Sequence, residues 1–521
     1  MCEPKKPFNA IALGCALAAA ALVGSCGGGG DTADALAVAV YIKASNAGLG
    51  DQLGGSLAIS GDGNTLAIGA RFEDSGLLGV TAGVVDELTA GNAVANSGAV
   101  YVLIRSGTAW GQQAYVKPLN TGTTGVGDNF GFSVALSSDG NTLAVGAPLE
   151  DSNTAGINST PNESAIDAGA VYVFTRSVTG VWTQQAYIKA STPGAGDNFG
   201  ISVALSSDGN TLAVGAPLED SGTTGINSIP NEAATDAGAA YVFTRDGTGT
   251  WSEQAYVKTS NTGLLVLDKF GVSVSLSSDG NTLAVGANGE ASGTLGINTT
   301  PDETAPGAGA AYVFARSGIT WTQQAYVKAS NTNAADDFGS SVALSGDGNT
   351  LAVGAPREDS SATGINSPSN ELATDAGAVY VFTRSGITWT QQAYVKASNT
   401  GIGGDNFGGS VALSGDGNAL MVGAINEDGG ATGINSPSNE LAADAGAVYA
   451  YTRSATAWAQ QSYVKASNTG AGDGFGVSVA LSSNGSTRVI GAPFEDSDAT
   501  GVGGNQANNN AASAGAVYIY P

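Results

Sequence analysis

The chain has 521 residues, with 19 basic and 45 acidic side chains, a net charge of −26 and no histidine. A surface of this charge repels nucleic acids and anionic lipid headgroups, so neither is expected to be a partner. The lack of histidine excludes Ser-His-Asp and Cys-His catalysis and histidine-ligated metal sites, and we expect a protein that is not an enzyme.

The first 26 residues have the pattern of a bacterial secretion signal. Lys5 and Lys6 precede an apolar run over residues 11–23, which is too short to span a membrane. The run leads into Val-Gly-Ser-Cys, which resembles a lipobox, and the resemblance implies cleavage before Cys26 and lipidation of that cysteine. Residues 27–36, rich in glycine, would then be a flexible tether. We expect a location in the bacterial cell envelope, at the outer membrane, with the lipid as the membrane contact. Secretion without a lipid is the alternative.

From residue 53 onward the sequence repeats a unit whose clearest copy runs from Phe199 to Pro217. Two runs of small and β-branched residues flank Ser-Asp-Gly-Asn, which has the composition of a tight hairpin turn. Successive copies start 68 to 77 residues apart. They begin at Leu53, Phe130, Phe199, Phe270, Phe338, Phe407 and Phe475. Seven copies at a near-constant period predict a repeat architecture.

Each period holds two further strand-like runs, represented by Gly169–Phe174 and Gln185–Lys189. Four strands per period without helical periodicity predict an all-β fold in which each period is one blade of a β-propeller. The Gly-Asp-Asn-Phe-Gly segments before the first strand, as at Gly196, are predicted to be turns, because no helix follows that could bind a phosphate.

The two ends of the chain complete each other. The last copy stops after its third strand, at Gly515–Pro521, and the missing fourth strand stands near the start as Ala39–Lys43. A blade shared by both ends leaves no unpaired sheet edges where the ring closes. Residues 37–521 are therefore predicted to form a seven-bladed β-propeller of four-stranded blades, closed by an N-terminal strand that joins the last blade.

The segment Phe-Gly-x-Ser-Val-Ala followed by Leu-Ala-Val-Gly-Ala-Pro resembles the FG-GAP repeat of integrin α-chain propellers and their bacterial relatives. The resemblance implies a propeller whose innermost strand starts after Phe-Gly. In integrins the loop between the first two strands often holds calcium. Here that connection is a short turn with one carboxylate, such as Asp139 or Asp208. Calcium takes roughly six to eight oxygen ligands, so we predict a turn there and not the family's calcium site.

The repeated aromatic residues are predicted to stabilise the ring. Phe199 and its equivalents should be buried at blade junctions, and Tyr172 and Trp182 should pack between blades and not form a sugar platform. Thirteen basic residues also sit at repeated positions, as seven strand-end lysines such as Lys189 and six arginines such as Arg176.

Acidic residues concentrate in loops of about twenty residues between the second and third strands, such as Leu218–Asp236. In one hypothesis their carboxylates form turns by accepting backbone N–H bonds. In the other, carboxylates, Asn side chains and carbonyls of one loop enclose a calcium ion, which would be the only cofactor. The candidate ligands are Glu150, Asp151, Asp167, Glu219, Asp220, Asp236, Glu358, Asp359, Asp375, Glu427, Asp428 and Asp444. Their recurrence in several blades favours the structural role.

The resemblance implies that these loops lie on the ligand-binding face. We therefore predict a monomeric, non-catalytic module for recognition or adhesion at the cell surface, which binds a protein or a polysaccharide. The alternative is a structural component of the envelope or matrix without a discrete ligand. Carboxylate pairs could also hydrolyse glycosides, but this needs two carboxyl groups in unlike environments, and the blades repeat the same pair. The most aberrant loops, residues 80–97 and 502–513, belong to neighbouring blades and favour a ligand site there.

Overall fold

The computed structural model describes residues 39–86, 89, 91–120, 127–261, 267–401 and 404–520. The predicted signal, Cys26 and the predicted tether lie outside the described residues. Within the described ranges, 29 strands form seven sheets, one for each blade. No helix in the same ranges has the length and apolarity that crossing a bilayer requires.

The blades follow one another along the chain. Blade 1 consists of β2 (Leu53–Ile59), β3 (Thr65–Ala70), β4 (Val80–Ala82), β5 (Ala99–Ser106) and β6 (Ala109–Val116). Blade 2 consists of β7 (Ser133–Leu136), β8 (Thr142–Ala147), β9 (Ala170–Arg176) and β10 (Trp182–Ile188). Blade 3 consists of β11 (Ser202–Leu205), β12 (Thr211–Ala216), β13 (Ala239–Arg245) and β14 (Trp251–Val257). Blade 4 consists of β15 (Phe270–Leu276), β16 (Thr282–Ala287), β17 (Ala310–Ser317) and β18 (Thr320–Val327).

The remaining blades have the same plan. Blade 5 consists of β19 (Ser341–Leu344), β20 (Thr350–Ala355), β21 (Ala378–Ser385) and β22 (Thr388–Val395). Blade 6 consists of β23 (Phe407–Leu413), β24 (Ala419–Ala424), β25 (Ala447–Ser454) and β26 (Ala457–Val464). Blade 7 consists of β27 (Ser478–Leu481), β28 (Arg488–Ala492), β29 (Ala516–Tyr520) and the N-terminal strand β1 (Val40–Ile42).

The ring is closed by the N-terminal strand, as predicted. β1 pairs antiparallel with β29, with Tyr41 opposite Tyr518 and Ile42 opposite Val517. The sheet order of blade 7 is β1-β29-β28-β27, so the two ends of the chain share one blade. Blade 1 differs from the prediction because the short strand β4 adds a fifth member outside β6.

The hairpin turns between the first two strands use the predicted chemistry. In blade 3 the Asp208 carboxylate accepts hydrogen bonds from Ser206 Oγ at 2.6 Å and from the Asn210 N–H at 2.9 Å. Burial tends to raise the pKa of Asp208, but these bonds outweigh it and hold the pKa below its ordinary value. The carboxylate is thus fully used in closing the turn.

The hydrophobic core lies between blades. One cluster joins Val100 and Val102 of blade 1 to Phe130, Tyr172 and Trp182 of blade 2. The predicted burial is confirmed, since Phe130, Phe199 and Phe407 are all 0% exposed. In blade 3 the Phe199 ring packs edge-on against Tyr241 with ring centroids 5.3 Å apart. Because each second strand has neighbours on both faces, all six residues of β12 are buried, which accounts for its unbroken run of small and apolar residues.

The Phe-Gly-x-Ser motif joins neighbouring blades. Ser133 Oγ of blade 2 donates to the Gly200 carbonyl of blade 3 at 2.7 Å. Gly200 has a φ of +98°, and a Cβ on it would lie 2.6 Å from the Ala170 carbonyl oxygen. Glycine is therefore required by both the backbone conformation and the close approach. The equivalent serine donors are Ser56, Ser202, Ser273, Ser341, Ser410 and Ser478.

A second set of bonds links the inner hairpins into a closed ring. Each hairpin donates one backbone N–H to the next and accepts one from the previous hairpin, at N···O distances of 2.8 to 3.0 Å. The members in ring order are Gly61, Ser138, Ser207, Ser278, Gly346, Gly415 and Ser483, which donates back to Gly61. We call this set the inner hydrogen-bond ring.

Candidate functional site

Each loop between the second and third strands is anchored at its base by a buried glutamate. In blade 3, Glu219 Oε2 lies 2.8 Å from Lys258 Nζ, and the Tyr256 hydroxyl donates to Glu219 Oε1 at 2.8 Å. The Ser221 N–H donates to Oε2 at 3.1 Å. Lys258 stands at the end of the outer strand, so the ion pair ties the loop to the outer edge of its own blade.

The same ion pair occurs in all seven blades. The pairs are Lys43–Glu495, Lys117–Glu73, Lys189–Glu150, Lys258–Glu219, Lys328–Glu290, Lys396–Glu358 and Lys465–Glu427, with N···O distances of 2.7 to 3.1 Å. Both partners are buried in each pair. Burial lowers the pKa of Lys189, and the facing Glu150 carboxylate offsets part of this shift. The lysines and the glutamates are both visible in the sequence, but their pairing was not predicted. One of each per repeat, in constant order, is the signal that could have paired them.

The aspartates that follow these glutamates bond to the end of the loop, just before the third strand. Asp220 Oδ1 accepts the Asp236 N–H at 2.8 Å, and the Asp220 carbonyl accepts the Ala234 N–H at 2.7 Å. The same side-chain bond joins Asp151 to Asp167, Asp359 to Asp375 and Asp428 to Asp444. Burial and the nearby Asp220 carboxylate raise the pKa of Asp236. These contacts are those of the turn-forming hypothesis.

The structure brings the twelve candidate calcium ligands together only in part. In each of these loops the two aspartates meet, whereas the glutamate turns inward to its lysine and tyrosine, as Glu150 does to Lys189 and Tyr187. Among the described residues there is no group of three or more Asp, Glu, Cys or His arranged to hold a metal ion. A calcium ion takes roughly six to eight oxygens. Calcium binding by these loops stays untested.

The middle of each loop covers the outer edge of its blade. In blade 3 the Asn227 N–H donates to the Tyr256 carbonyl at 2.8 Å, and the Lys258 N–H donates to the Gly225 carbonyl at 2.9 Å. Ile226 forms a β-bridge with Val257 of the outer strand. An exposed strand edge is a template for pairing with other chains. The repeated Gly-Ile-Asn segment therefore protects the end of that edge, and β4 takes its place in blade 1.

A second buried carboxyl lies beneath several loops. Asp405, in the segment before blade 6, accepts the Gly401 N–H at 3.0 Å. The equivalent Asp197 accepts the Gly194 N–H at 2.7 Å, which confirms the predicted turn before blade 3. Burial raises the pKa of Asp405 to about 7, and Glu427 and Glu440 add to the shift. Asp197 and Asp336 have the same environment and pKa values of about 7. The turn was predictable from the sequence, but the burial of its carboxyl group was not.

The repeated arginines form contacts on the outer wall of the ring. Arg245 lies 5.3 Å from the ring centroid of Trp251 and donates to Asn210 Oδ1 at 2.9 Å. Both Arg245 and Trp251 donate to Gln185 Oε1 of the preceding blade, each at 3.0 Å. Tryptophan is therefore part of the inter-blade packing, as predicted.

The aberrant loops of blades 7 and 1 meet where the ring closes. The Val85 N–H donates to Ser45 Oγ at 3.3 Å, and Val502 forms a β-bridge with Ile42. A groove of about 250 Å³ opens between them, lined by Val84, Leu103 and Val502 among others. The sequence thus located an irregular part of the surface, and the prediction of a ligand there stays untested.

The loops expose apolar side chains although their bases are buried. Leu372 in blade 5 is 80% exposed and Leu441 in blade 6 is 83% exposed. Ile166 in blade 2 and Ile229 in blade 3 are also exposed. The loops are thus held rigidly by ion pairs and present aliphatic groups to solvent.

Comparison with known proteins gives a family match and similar solved structures. The profile of the FG-GAP repeat matches residues 110–174, 182–243, 321–382, 389–451 and 458–520. Among solved structures, the chain is similar to the periplasmic gluconolactonase PpgL of Pseudomonas aeruginosa, with 15% identity, a TM-score of 0.40 and coverage of 79% of this chain and 91% of that chain. It is also similar to U3-55K, with 9% identity, a TM-score of 0.48 and coverage of 93% and 98%. A search of curated proteins finds no match. The matched repeats cover more than half of the sequence, and the protein belongs to the FG-GAP repeat family of β-propellers.

Proposed function

We propose that the propeller is a non-catalytic module for recognition or adhesion, which binds a protein or a polysaccharide through the face formed by the acidic loops. We further propose that a lipid on Cys26 holds it at the bacterial cell envelope. Replacing Cys26 with serine should abolish labelling by radioactive palmitate and release the protein into the medium.

The observation that carries this proposal is the combination of a rigid loop base with an exposed apolar residue. Glu358 is fixed by Lys396 at 2.7 Å, and in the same loop Leu372 is exposed. Glu427, Lys465 and Leu441 repeat the arrangement in the next blade. A loop that is already ordered loses little conformational entropy on binding, which favours affinity. Exposed aliphatic groups add apolar area to an interface when a partner covers them.

A non-catalytic role is supported by the state of the carboxylates. A substrate must reach both carboxyl groups of a catalytic pair, and Asp405 and Glu427, whose environments differ, are each only 1% exposed. Here the buried glutamate has the same lysine partner in every blade. A carboxylate held by an ammonium group is poorly suited to act as an acid.

The test is binding by the purified mature protein to a glycan array and to proteins of the cell surface. We expect a ligand whose binding falls at least tenfold in the Leu372→Asp/Leu441→Asp variant, because charge is placed in the apolar contact. Ile387→Asp, on the outer wall of blade 5, is the matched control and should bind normally. Equal loss in both variants, or binding unchanged in the loop variant, would contradict a site on this face. Absence of any ligand would favour a structural component of the envelope or matrix.

A further inference from the structure

Two equivalent grooves lie on the outer wall of the ring. The groove between blades 4 and 5 has a volume of about 510 Å³ and is lined by Gln323 and Gln324 of β18, Ile297 of the adjoining loop, and Ile387 and Trp389 of blade 5. The groove between blades 3 and 4 also has a volume of about 510 Å³ and is formed by the equivalent residues, with Glu253 in place of the first glutamine. Both grooves run along the part of the outer strand that the Gly-Ile-Asn segment leaves uncovered.

The floor of each groove is a bulged strand edge. In blade 4 the register with β17 shifts between the pairs Phe314–Gln323 and Val313–Ala325, so Gln324 is the extra residue. In blade 3, Gln254 has the same place. Among the described residues, no backbone N–H from outside the sheet donates to the carbonyl of Gln254 or Gln324. Unpaired strand edges accept added strands.

Blade 1 shows that this edge accepts another stretch of chain. There the bulged residue is Gln113, and its carbonyl accepts the Gly83 N–H at 2.8 Å. Gln112 Nε2 donates to the Gly83 carbonyl at 2.9 Å. Gly83 directly follows β4, which pairs along the same edge of β6. The repeat unit is therefore able to hold a fifth strand, and blade 1 supplies one from its own loop.

We propose that the outer edges of blades 3 and 4 bind an extended segment of a partner polypeptide as a fifth strand. The Gly-Ile-Asn segment already covers the places that residues 79–81 take in blade 1. The partner segment would therefore pair from the place of Gly83 onward, and it would be uncharged and rich in β-branched residues, like Gly83–Val85 of this chain. Backbone hydrogen bonds to the edge would provide affinity, and alternate side chains would enter the groove. The exposed side chains of Ile319 and Ile387, 79% and 78% exposed, would contact them.

The groove favours a peptide over a sugar. Sugar sites commonly offer an aromatic face, but Trp389 is only 4% exposed and its N–H donates to Gln324 Oε1 at 2.8 Å. Besides the backbone carbonyl and the isoleucine side chains, the lining carries polar groups such as Thr322, Thr388 and, in the other groove, Glu253. The choice of a peptide therefore rests on the strand edge and on its use by residues of blade 1. This surface is distinct from the apolar residues on which the proposed function rests, and neither proposal depends on the other.

The test is fluorescence anisotropy with the mature protein and a labelled synthetic peptide of residues 79–85. We expect saturable binding that weakens at least tenfold in the Ile319→Arg/Ile387→Arg variant. Both residues are exposed, so the variant should fold normally. Leu49→Arg, at a side chain that is 70% exposed in the segment before blade 1, is the matched control and should bind as the parent does. A peptide with N-methylglycine in place of Gly83 has a methyl group where the edge would accept an N–H and should also bind at least tenfold more weakly.

Three results would overturn the proposal. One is the absence of saturable peptide binding by the parent protein. Another is equal binding of the N-methylated peptide, which would show that the strand edge accepts no hydrogen bond. The third is displacement of the peptide by neutral oligosaccharides that lose affinity in the same isoleucine variant, which would assign the grooves to a sugar.

Discussion

In each blade a buried lysine holds the acidic loop in place through an ion pair with the loop's glutamate. Lys396 and Glu358 are both buried, and their charged atoms lie 2.7 Å apart. Removing two charges from water is costly, and the pair is tolerated because the Tyr394 hydroxyl and the Ser360 N–H also bond to the carboxylate. Either residue alone would be left buried without its counter-charge.

This predicts a strong difference between removing one partner and removing both. Lys396→Met should lower the free energy of unfolding by about 3–5 kcal/mol, because Glu358 loses its counter-charge. The double variant Lys396→Met/Glu358→Leu should recover much of that loss. Urea unfolding followed by tryptophan fluorescence measures both. The control is Arg357→Met, whose side chain is 56% exposed and pairs with Asp337 at 3.3 Å; this pair should contribute about 0–1 kcal/mol. A Lys396→Met variant as stable as this control would contradict the role given to the ion pair.

At this scale the sequence shows which residues repeat but not which ones touch. Glu150 and Lys189 lie 39 residues apart, and neither residue type indicates burial, since charged side chains are mostly exposed. Phe199 was predictable because a large apolar residue next to glycine in every repeat has few places other than a core. The contact of Gln185 with Trp251 crosses a blade boundary, and no spacing within one repeat can show it.

The long loop is the element that sets this propeller apart from a plain array of hairpins. It leaves the second strand, is anchored by its glutamate, covers the end of the outer strand through Gly-Ile-Asn, and returns to the third strand. Its length is explained by that path. The sequence predicted all four strands of a regular blade, since each has its own apolar run. It did not predict β4, because Val80–Ala82 is only three residues long and lies in the least regular loop.

The loops are expected to be insensitive to calcium. Glu219 is already bonded to Lys258 and Tyr256, and Asp220 holds the Asp236 N–H. The melting temperature should therefore be equal in EDTA, in calcium chloride and in sodium chloride of matched ionic strength.

If calcium were bound, one site at ~100 times its dissociation constant would stabilise the fold by ~2.7 kcal/mol. A higher melting temperature in calcium than in matched sodium would thus contradict the turn-forming role. Loss of that increase in the Asp220→Asn/Asp236→Asn variant would assign the ion to the blade 3 loop.

The whole ring should be most stable in mildly acidic solution. Burial raises the pKa of Asp197, Asp336 and Asp405 to about 7 and that of Asp473 to about 6, from 3.8. Between about pH 4 and about pH 7 these carboxyl groups keep their protons in the folded protein but have lost them in the unfolded chain. The free energy of unfolding therefore falls as the pH rises through this range. The hairpin aspartates act in the opposite sense, since their lowered pKa values cost stability below their ordinary pKa.

We expect a melting temperature that peaks near pH 4 and declines toward pH 8 at constant ionic strength, because the carboxyl groups whose pKa is raised must then ionise while buried. Asp405→Asn should reduce the decline, since one titrating group is removed. Asp416→Asn, in an exposed turn of the same blade, should leave it unchanged. A profile that is flat or rising between pH 5 and pH 8 would contradict the burial of these carboxyl groups.

Ring closure depends on a strand at the opposite end of the sequence. Deleting residues 37–45 from the mature protein removes β1 and exposes the edge of β29. It also removes Lys43 and Tyr41, the buried partners of Glu495. We expect aggregation or a large drop in melting temperature, measured against a chain that starts at residue 37. A truncated chain that melts like this reference would contradict the shared blade.

The inner hydrogen-bond ring also bears on how such a gene can change. Blades 5 and 6 carry the identical segment Gly-Ile-Asn-Ser-Pro-Ser-Asn-Glu-Leu-Ala, at Gly364–Ala373 and Gly433–Ala442, and near-identical repeats of this kind invite unequal recombination. A chain that gained or lost one repeat would still fold each blade, but its hairpins would meet at a different angle and every bond of the ring would have to be re-aimed. The sequence of one blade can therefore replace that of another without disturbing these bonds. A change in the number of blades would disturb every bond of the inner hydrogen-bond ring.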